Sequence, residues 1–350
     1  MSYSRLIPKM GSYGKFELPL TFQRFNTKEV VKNARKPNFS TIFDVSHMNI
    51  FETNIKNSYK LNNLFYFKNL KKNKSRLSVL LDKNKKVIDD LIISNVDDKN
   101  YRLITNANTL HLFENNDEMK FLQKKSRKIL AIQGGNSQAL LENLLEKIVK
   151  KTVNLNNIYF MENKTIYKDF LEICRCGYTG EDGFELYLNK SLHNEFVETL
   201  INTLEDPKSN FDIQFGGLIE RDILRMEAGL WLSGNEFSDK NPINFASLNS
   251  NFLMHSEYRN KFKEELNSKV NYRYFTSSKP IKVGDILDKY DKVVGKITSS
   301  TRSFNIDKFI GLGFLTEEDN NIYFKDGKNK KIKLCVQTIP FVKSNYYRKI

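Results

Sequence analysis

A short segment of the chain places several glycines next to a carboxylate. Residues 176–185 read Cys-Gly-Tyr-Thr-Gly-Glu-Asp-Gly-Phe-Glu. Asp182-Gly183 is a typical hairpin turn signal, and the glycines let the backbone approach another group closely. Glu185 opens an apolar strand, where a rigidly held carboxylate can accept two parallel hydrogen bonds from a flat donor pair, such as the edge of a pterin. From the residues alone, a solvated or salt-bridged strand carboxylate is an equally good interpretation.

Two adjacent acids, Asp89 and Asp90, interrupt the apolar run at residues 87–93. Because side chains alternate along a strand, the two point to opposite faces, and one of them faces inward or into a cleft. An inward carboxylate must be paired or must do chemical work. A salt bridge to a nearby lysine is the structural alternative.

A glycine pair at residues 216 and 217 leads into a predicted helix. Arg221 falls in the first turn, where the helix dipole disfavours a cation, so an outside anion explains it better. Arg225 lies one turn later and can pair with Asp222. The segment lacks the lysine-serine of a P-loop and the dinucleotide fingerprint, which disfavours a nucleotide ligand.

The elements that position these residues follow from hydrophobic periodicity. Helices are predicted at 137–150, 191–204 and 218–230, with Asn136 or Ser137 and then Ser191 as caps of the first two. Strands are predicted at 76–81, 87–93, 101–105, 129–133, 171–176 and 184–188. After about residue 265 only short strands are predicted, at 281–283, 292–298, 309–314, 321–325 and 331–336, which indicates a separate C-terminal β-domain.

Bulk composition narrows the class of protein. The chain has 350 residues, 56 Lys and Arg against 41 Asp and Glu, and a net charge of +15. It is long enough for two or three domains, and its charge favours an anionic partner. The lysines are scattered rather than interleaved with aromatics, so a solvated lysine-rich surface is preferred to a nucleic-acid site.

Cysteine and histidine usage points to a reducing compartment without a structural metal. The three cysteines do not form a disulfide framework, and the four histidines share no short metal-ligand spacing. No apolar run approaches the length that spans a bilayer, so a soluble protein is expected. The basic residues within 1–16 faintly resemble a transit peptide, although glycines and a proline spoil the amphipathic pattern.

Nine segments, in this order along the chain, resemble motifs of the aminomethyltransferases, the T-proteins of the glycine cleavage system. They are residues 43–48, 89–92, 105–108, 130–134, 177–185, 220–229, 234–236, 294–299 and 339–347. The resemblance runs from about residue 17 to the end of the chain. Any one motif is weak, but nine in family order are specific.

The resemblance implies an α+β, three-lobed cloverleaf fold around a folate channel. Two interleaved α/β lobes would form a catalytic region at residues 1–260, and an antiparallel β-barrel at 261–350 would close the channel. The implied reaction transfers the one-carbon unit of the aminomethyl group on lipoylated H-protein to tetrahydrofolate, releases ammonia and forms 5,10-methylenetetrahydrofolate. Tetrahydrofolate is thus the expected co-substrate and lipoylated H-protein the expected partner, without a metal, nucleic acid or membrane.

The resemblance also assigns roles to individual residues. Asp90 matches the catalytic carboxylate near the folate nitrogens, and Glu185 matches the carboxylate that holds the pterin. Arg221 and Tyr346 match substrate contacts. The positions that match the channel lining are Met48, Leu77, Asn106 and Tyr178.

The chain departs from the family pattern at three places, one of which is the amino-terminal motif rich in glycine and tryptophan, reduced here to residues 13–20. Lys85-Lys86 stands where the family has a Gly-Gly turn, and Ser250 stands where it has a tryptophan. All three departures bear on folate packing. The family relation favours a mitochondrial matrix location, or the cytoplasm for a bacterial or untargeted chain.

Two alternatives compete with the transferase. A folate-binding iron–sulfur assembly factor shares the fold but carries a Lys-Gly-Cys-Tyr-x-Gly-Gln-Glu type of motif, whereas this chain has Arg-Cys-Gly-Tyr-Thr-Gly-Glu-Asp-Gly from residue 175. A basic RNA-binding or membrane-surface protein would need aromatic RNA signatures or a basic amphipathic helix.

Overall fold

The structure is a computed structural model of the full chain. It describes residues 3–13, 16–54, 70–84, 86–97, 99–114, 121–168, 170–241, 243, 271–317 and 321–348. Lys85, Ser250 and the predicted domain boundary between residues 260 and 261 lie outside the described residues.

Strands dominate the fold. They are β1 (Pro8–Tyr13), β2 (Phe16–Phe22), β3 (Phe39–Asp44), β4 (Asn49–Asn54), β5 (Ser75–Leu81), β6 (Val87–Asn95), β7 (Asn100–Thr105), β8 (Leu122–Gln123), β9 (Arg127–Gln133), β10 (Asn163–Tyr167), β11 (Leu171–Cys174), β12 (Gly183–Asn189), β13 (Asp212–Phe215), β14 (Asn271–Ser277), β15 (Gly284–Leu287), β16 (Val293–Ser303), β17 (Lys308–Leu315), β18 (Ile322–Lys325) and β19 (Lys331–Gln337). The α-helices are α1 (Thr27–Asn33), α2 (Leu110–Glu114), α3 (Ser137–Leu144), α4 (Lys190–Glu205) and α5 (Leu218–Glu227). Short 3₁₀ turns form at Ser4–Leu6 and Ala107–Thr109, and a π-helical turn at Leu145–Val149 extends α3.

The first lobe is built on a six-stranded mixed sheet in the order β10-β11-β12-β9-β3-β13. Strand β13 runs parallel to β3, and the other neighbouring pairs are antiparallel. Residues 183–188 of β12 are all buried, so the carboxylate of Glu185 is held within an otherwise largely apolar strand of a covered sheet. Helices α3 and α4 pack on this sheet and share its hydrophobic core.

The second lobe is an antiparallel sheet in the order β5-β6-β7-β4-β8. In the chain these five strands lie between β3 and β9, which are neighbours in the first sheet. The two lobes are therefore interleaved, as predicted.

The third lobe is a closed barrel in the order β14-β17-β16-β15-β18-β19. Its interior holds its own apolar cluster, with Phe275 and Ile297 fully buried. Closure leaves no unpaired sheet edge, which suits a lobe made of short strands. The predicted fold class is confirmed.

Helix α5 connects the lobes. The Glu220 carboxylate accepts from the backbone N–H of Gly217 at 2.8 Å, and Gly229, with φ 74°, follows the last turn. Arg225 pairs with Asp222 at 2.8 Å, as predicted. The helix ends at Glu227 rather than residue 230, because the chain turns into the left-handed region.

A buried carboxylate attaches the barrel to α5. Glu236 accepts hydrogen bonds from Thr298 at 2.8 Å and from Ser299 at 2.6 Å, both on β16. It also accepts from the backbone N–H of Leu232 at 2.7 Å and faces Arg225 at 3.4 Å. This network fixes where the barrel sits relative to the first two lobes.

Several sequence-based assignments need correction. The predicted cap Ser191 lies inside α4, because Asn189 accepts from the N–H of Leu192 and caps the helix two residues earlier. The strand predicted at 281–283 begins instead at Gly284. Asp182-Gly183 is not a tight hairpin: residues 175–182 connect the strands, and the Asp182 carboxylate accepts from Arg175 Nε at 2.9 Å.

Three further observations bear on the expectations drawn from composition. Each of the three cysteines is free. None of the helices in the described ranges combines the length and apolar composition needed to cross a bilayer. Within the same ranges, His, Cys, Asp and Glu side chains form no group of three suited to a metal ion.

Candidate active site

A cavity of about 1000 Å³ lies where the two sheets, helix α5 and the segment after the barrel meet. Strands β5 and β6 of the second lobe supply one wall, and β12 supplies Glu185 to the other. Residues 339–348 contribute side chains from the C-terminus. The first two lobes, helix α5 with the residues that follow it, and the segment after the barrel thus border one cavity.

All eight side chains predicted as site residues line this cavity. They are Met48, Leu77, Asp90, Asn106, Tyr178, Glu185, Arg221 and Tyr346. They come from positions nearly 300 residues apart in the chain, so the fold brings them together. Their individual roles remain predictions.

The two adjacent acids occupy different environments, as strand alternation predicts. Asp90 lines the cavity, whereas Asp89 is fully buried and does not line it. The amide nitrogen Nδ2 of Asn106 lies 2.8 Å from Asp89 Oδ1 and 2.9 Å from Asp90 Oδ1. One amide therefore serves both carboxylates, a link that the alternation pattern does not reveal.

Burial and mutual repulsion change how these acids ionise. Burial, the charge of Asp89 and the more distant charge of Glu236 raise the pKa of Asp90 to about 7. Burial also raises the pKa of Asp89, although hydrogen bonds from Thr109, Ser233 and Asn106 oppose the rise. Asp90 consequently changes charge near neutral pH, where a group that transfers protons is most effective.

Glu185 is held in place by its own strand and by its neighbour. It is 4% exposed and accepts a hydrogen bond from the Tyr187 hydroxyl at 3.2 Å. Burial raises the pKa of Glu185, while the charge of Arg221 and hydrogen bonds from Tyr187 and Cys176 oppose the rise. The carboxylate lies in a pocket that offers it fewer donors than water would.

Arg221 projects from the first turn of α5 into the cavity. Its guanidinium carbon lies 4.6 Å from the ring centroid of Tyr178, a cation–π contact. The Tyr178 hydroxyl donates to the backbone carbonyl of Trp231. Arg221 is thus oriented by an aromatic face that leaves its N–H groups available to a ligand.

The segment after the barrel crosses back over the first lobe. The N–H of Asn345 donates to the carbonyl of Gly180 at 2.8 Å, and the N–H of Phe160 donates to the carbonyl of Tyr347 at 2.7 Å. Tyr346 packs on Phe160, with ring centroids 4.2 Å apart. These contacts hold Tyr346 at the cavity wall.

Sequence reasoning missed several residues that line the cavity. His47 belongs to a motif that supports the family resemblance, and burial together with the charge of Arg221 lowers its pKa to about 4. Trp231 lines the cavity and donates from Nε1 to the Tyr274 hydroxyl at 3.1 Å. A set of cations also lines it: Lys71, Lys74, Arg76, Lys343 and Arg348. Their spacing carries no periodic signal, so only the fold assembles them.

The missing Gly-Gly turn before β6 is replaced by a different turn. Asp82 Oδ1 accepts from the N–H groups of Asn84 and Lys86, each at 2.8 Å. An aspartate that accepts from N–H groups of its own turn stabilises that turn. Asp82 thus contributes a side-chain contact to the connection between β5 and β6.

Comparison with known proteins agrees with this arrangement. Residues 3–250 match the family model described as the GCVT N-terminal domain. The chain belongs to this family of glycine cleavage system aminomethyltransferases. The match covers the two interleaved lobes and the cavity walls that they form.

Similar proteins span nearly the whole chain. An aminomethyltransferase of Flavobacterium psychrophilum is 28% identical over 358 residues, covering 96% of each chain. One of Natranaerobius thermophilus is 29% identical and covers 97% of this chain and 95% of its own. A probable mitochondrial aminomethyltransferase of Schizosaccharomyces pombe is 25% identical, covering 96% of this chain and 90% of its own.

A solved structure shares the fold. The glycine cleavage system aminomethyltransferase T from Bartonella henselae superposes with a TM-score of 0.85 and 24% identity, covering 99% of this chain and 97% of that one. The likeness extends over all three lobes, including the barrel.

Proposed function

We propose that this chain transfers the one-carbon unit of the aminomethyl group on lipoylated H-protein to tetrahydrofolate. The products are ammonia, 5,10-methylenetetrahydrofolate and dihydrolipoyl H-protein. Family membership supports the aminomethyl chemistry. The observation that carries the proposal is that Asp90 and Glu185 are the carboxylates among the described cavity-lining residues and come from different lobes.

Glu185 would recognise the pterin. A buried carboxylate on a central strand can accept two parallel N–H bonds from the 2-amino and N3–H edge. The present donors to Glu185, the Tyr187 hydroxyl and the Cys176 thiol, are neutral. A charged donor or a pair of N–H donors on a ligand would therefore form a stronger hydrogen-bonded contact with this carboxylate. Arg221 and Tyr346, which also line the cavity, would contact the substrate.

Asp90 would act at the reacting nitrogens. Loss of ammonia leaves a carbon with iminium character, and a nearby carboxylate stabilises the positive charge that develops there. Since its pKa is about 7, Asp90 can also hold or release a proton as the folate amine attacks. Asn106 donates to Asp90 at 2.9 Å and fixes its orientation. The reaction then needs positioning and charge stabilisation without a covalent protein intermediate.

The cations that line the cavity fit both proposed substrates. Lys71, Lys343 and Arg348 are exposed and contribute to the lining, so they raise the positive potential at the opening. Folate carries carboxylates, and lipoyl carrier proteins of this system are typically acidic, so both would be attracted. The iron–sulfur assembly alternative is not favoured, because the similar curated proteins are aminomethyltransferases.

The test is a direct assay with aminomethylated H-protein, in which ammonia and methylenetetrahydrofolate are measured with and without tetrahydrofolate. We expect both products to depend on tetrahydrofolate. Asp90→Asn should still bind tetrahydrofolate while turnover falls by a factor on the order of 10²–10⁴.

The matched control is Asp97→Asn. It makes the same substitution just after the end of β6, at a residue that does not line the cavity. It should retain turnover. Absence of either product from the unchanged protein would refute the reaction. Full turnover by Asp90→Asn would place the catalytic carboxylate elsewhere.

A further inference from the structure

Asp89 is a buried acid that the proposed chemistry leaves without a role. It is 0% exposed and lies behind Asp90 relative to the cavity. A fully buried carboxylate is costly unless it is well hydrogen-bonded. Its partners therefore indicate what it does.

The amide of Asn106 joins the two acids. Its Nδ2 has three acceptors within reach: Asp89 Oδ1 at 2.8 Å, Asp90 Oδ1 at 2.9 Å and the Asp90 backbone carbonyl at 3.1 Å. A primary amide has only two N–H bonds. The amide is thus fully used by the pair, and rotating it away would leave both carboxylates without this donor.

Asp89 also anchors the turn that carries Asn106. Thr109 donates from Oγ1 to Asp89 Oδ2 at 2.6 Å, and its N–H donates to the Asn106 carbonyl at 3.3 Å. A hydrogen bond from Ser233 reaches Asp89 from another segment. Three donors make an ionised Asp89 tolerable in the interior, while Asp90 has Asn106 and the cavity.

We propose that Asp89 is a positioning residue for Asp90: it fixes the Asn106 amide against both carboxylates, and its negative charge adds to burial in opposing the ionisation of Asp90. This inference rests on the proposed function, because it explains how Asp90 would serve as the proton-transferring group. Two acids that share a site cannot both ionise easily, so the second ionises at a higher pH than the first.

The other charges around Asp90 act in known directions. Glu236 adds to the repulsion, and the same carboxylate is balanced by Arg225 at 3.4 Å. Tyr178 faces Asp90 but stays neutral, because burial raises its pKa. Arg221 contacts the ring of Tyr178, and its charge opposes the rise in the pKa of Glu185. Asp89 is the nearest like charge, so its removal is the informative perturbation.

Asp89→Asn is the test variant, because the structure can accommodate it. The new side-chain oxygen can accept from Asn106, and the new amide can donate to Thr109 Oγ1. Thr109 can then donate to the Asn106 carbonyl, which already lies 2.9 Å from its hydroxyl oxygen. The size and most hydrogen bonds are kept, and the charge is lost.

The first readout is the pH profile of turnover. The unchanged protein should show a transition near pH 7, the pKa of Asp90. In Asp89→Asn the transition should move down by about one to two pH units, because one like charge close by is removed. Asp97→Asn should leave the transition in place. An active Asp89→Asn variant with an unmoved transition overturns the inference but not the proposed reaction.

The second readout needs neither substrate nor a folded Asp89 variant. Because the folded pKa of Asp90 lies above its ordinary value of 3.8, the folded state binds the extra proton and stability falls as pH rises from about 4 through about 7. Asp90→Asn removes this charge, so its Tm at pH 8 should exceed that of the unchanged protein, and the difference should vanish at pH 4. Equal or lower Tm at pH 8 would show that neither burial nor the charge of Asp89 opposes the ionisation of Asp90, and would overturn the inference even if the transferase reaction is observed.

Discussion

Replacing Glu185 separates ligand recognition from stability. Glu185→Gln keeps the shape of the side chain and can still accept from the Tyr187 hydroxyl, but it removes the charge. Its amide would present N–H groups to the donor edge of a pterin. We therefore expect a loss of folate affinity without a loss of folding.

The size of the effect follows from the kind of bond that is lost. A hydrogen bond to a charged group contributes about 1.5–3 kcal/mol, which corresponds to a roughly 10- to 150-fold change in Kd. Glu185 is 4% exposed, so solvent does little to screen the interaction. We expect Glu185→Gln at the upper part of this range, because it adds a repulsive donor, and Glu185→Ala at the lower part.

The stability of the Glu185 variants should stay constant or rise slightly while their folate affinity falls. Burial raises the pKa of Glu185, which means that the free protein holds this charge at a cost. Removing it should leave Tm unchanged or slightly higher. Calorimetric titration with tetrahydrofolate and thermal melts of the same samples measure both quantities.

Glu172→Gln is the matched control, since Glu172 is also a buried acid on the first sheet but does not line the cavity. It pairs with Arg102 and with Arg127 at 3.3 Å, so its loss should lower Tm and leave folate affinity unchanged. The reasoning about Glu185 is refuted if its two variants bind tetrahydrofolate as tightly as the unchanged protein. A parallel fall of Tm and affinity would mean that Glu185 is structural.

Two further predictions concern the barrel and the basic surface. Glu236→Ala should lower the free energy of unfolding by about 3–5 kcal/mol, because Arg225 and Ser299 would lose their buried partner. Urea unfolding measures this change. A decrease of less than about 1 kcal/mol would contradict the role of Glu236 in attaching the barrel to α5. If the net charge of +15 attracts an acidic carrier, the KM for aminomethylated H-protein should rise between low and physiological salt while tetrahydrofolate affinity changes less. Salt series with each substrate varied separately test it, and an unresponsive KM would assign the charge another purpose.

Much of the strand pattern could be predicted from local sequence. The predicted strand at 87–93 is observed as Val87–Asn95, and that at 129–133 as Arg127–Gln133. Both are apolar runs in covered sheets, where burial leaves a clear signal. The strand Asn271–Ser277 was not predicted, although it pairs on both sides in the barrel.

Helix ends were harder to predict than helix bodies, because several residues can cap the same helix. Ser191 and Asn189 are both good caps, and only tertiary packing places the chain entry at Asn189. Ile219 continues the apolar stripe of α5 in sequence, yet it is 42% exposed. An apolar stripe shows which face of a helix can be buried. How much of that face is buried depends on what packs against it in the fold.

The residues of the candidate site could be predicted only through their match to the family. Family order selected eight positions that line one cavity, whereas alternation alone could not choose between Asp89 and Asp90. The bridging amide of Asn106 could not be predicted, because its contact with both acids depends on the register of β6 against β7. Contacts between side chains from different strands require the pairing to be known first.

The two cavity carboxylates share a physical condition that connects stability with function. Asp90 and Glu185 both have pKa values raised mainly by burial, so each is less well solvated in the free protein than it would be in water. A ligand that brings N–H donors to Glu185 and developing positive charge to Asp90 would relieve both at once. Binding energy would then be strongest where charge develops during the reaction, which is the condition for stabilising a transition state rather than a bound substrate. Buried, paired charges such as Glu236 and Arg225 attach the barrel to α5, the helix that carries Arg221 into the cavity, and so stabilise the structure in which the two poorly solvated carboxylates are held.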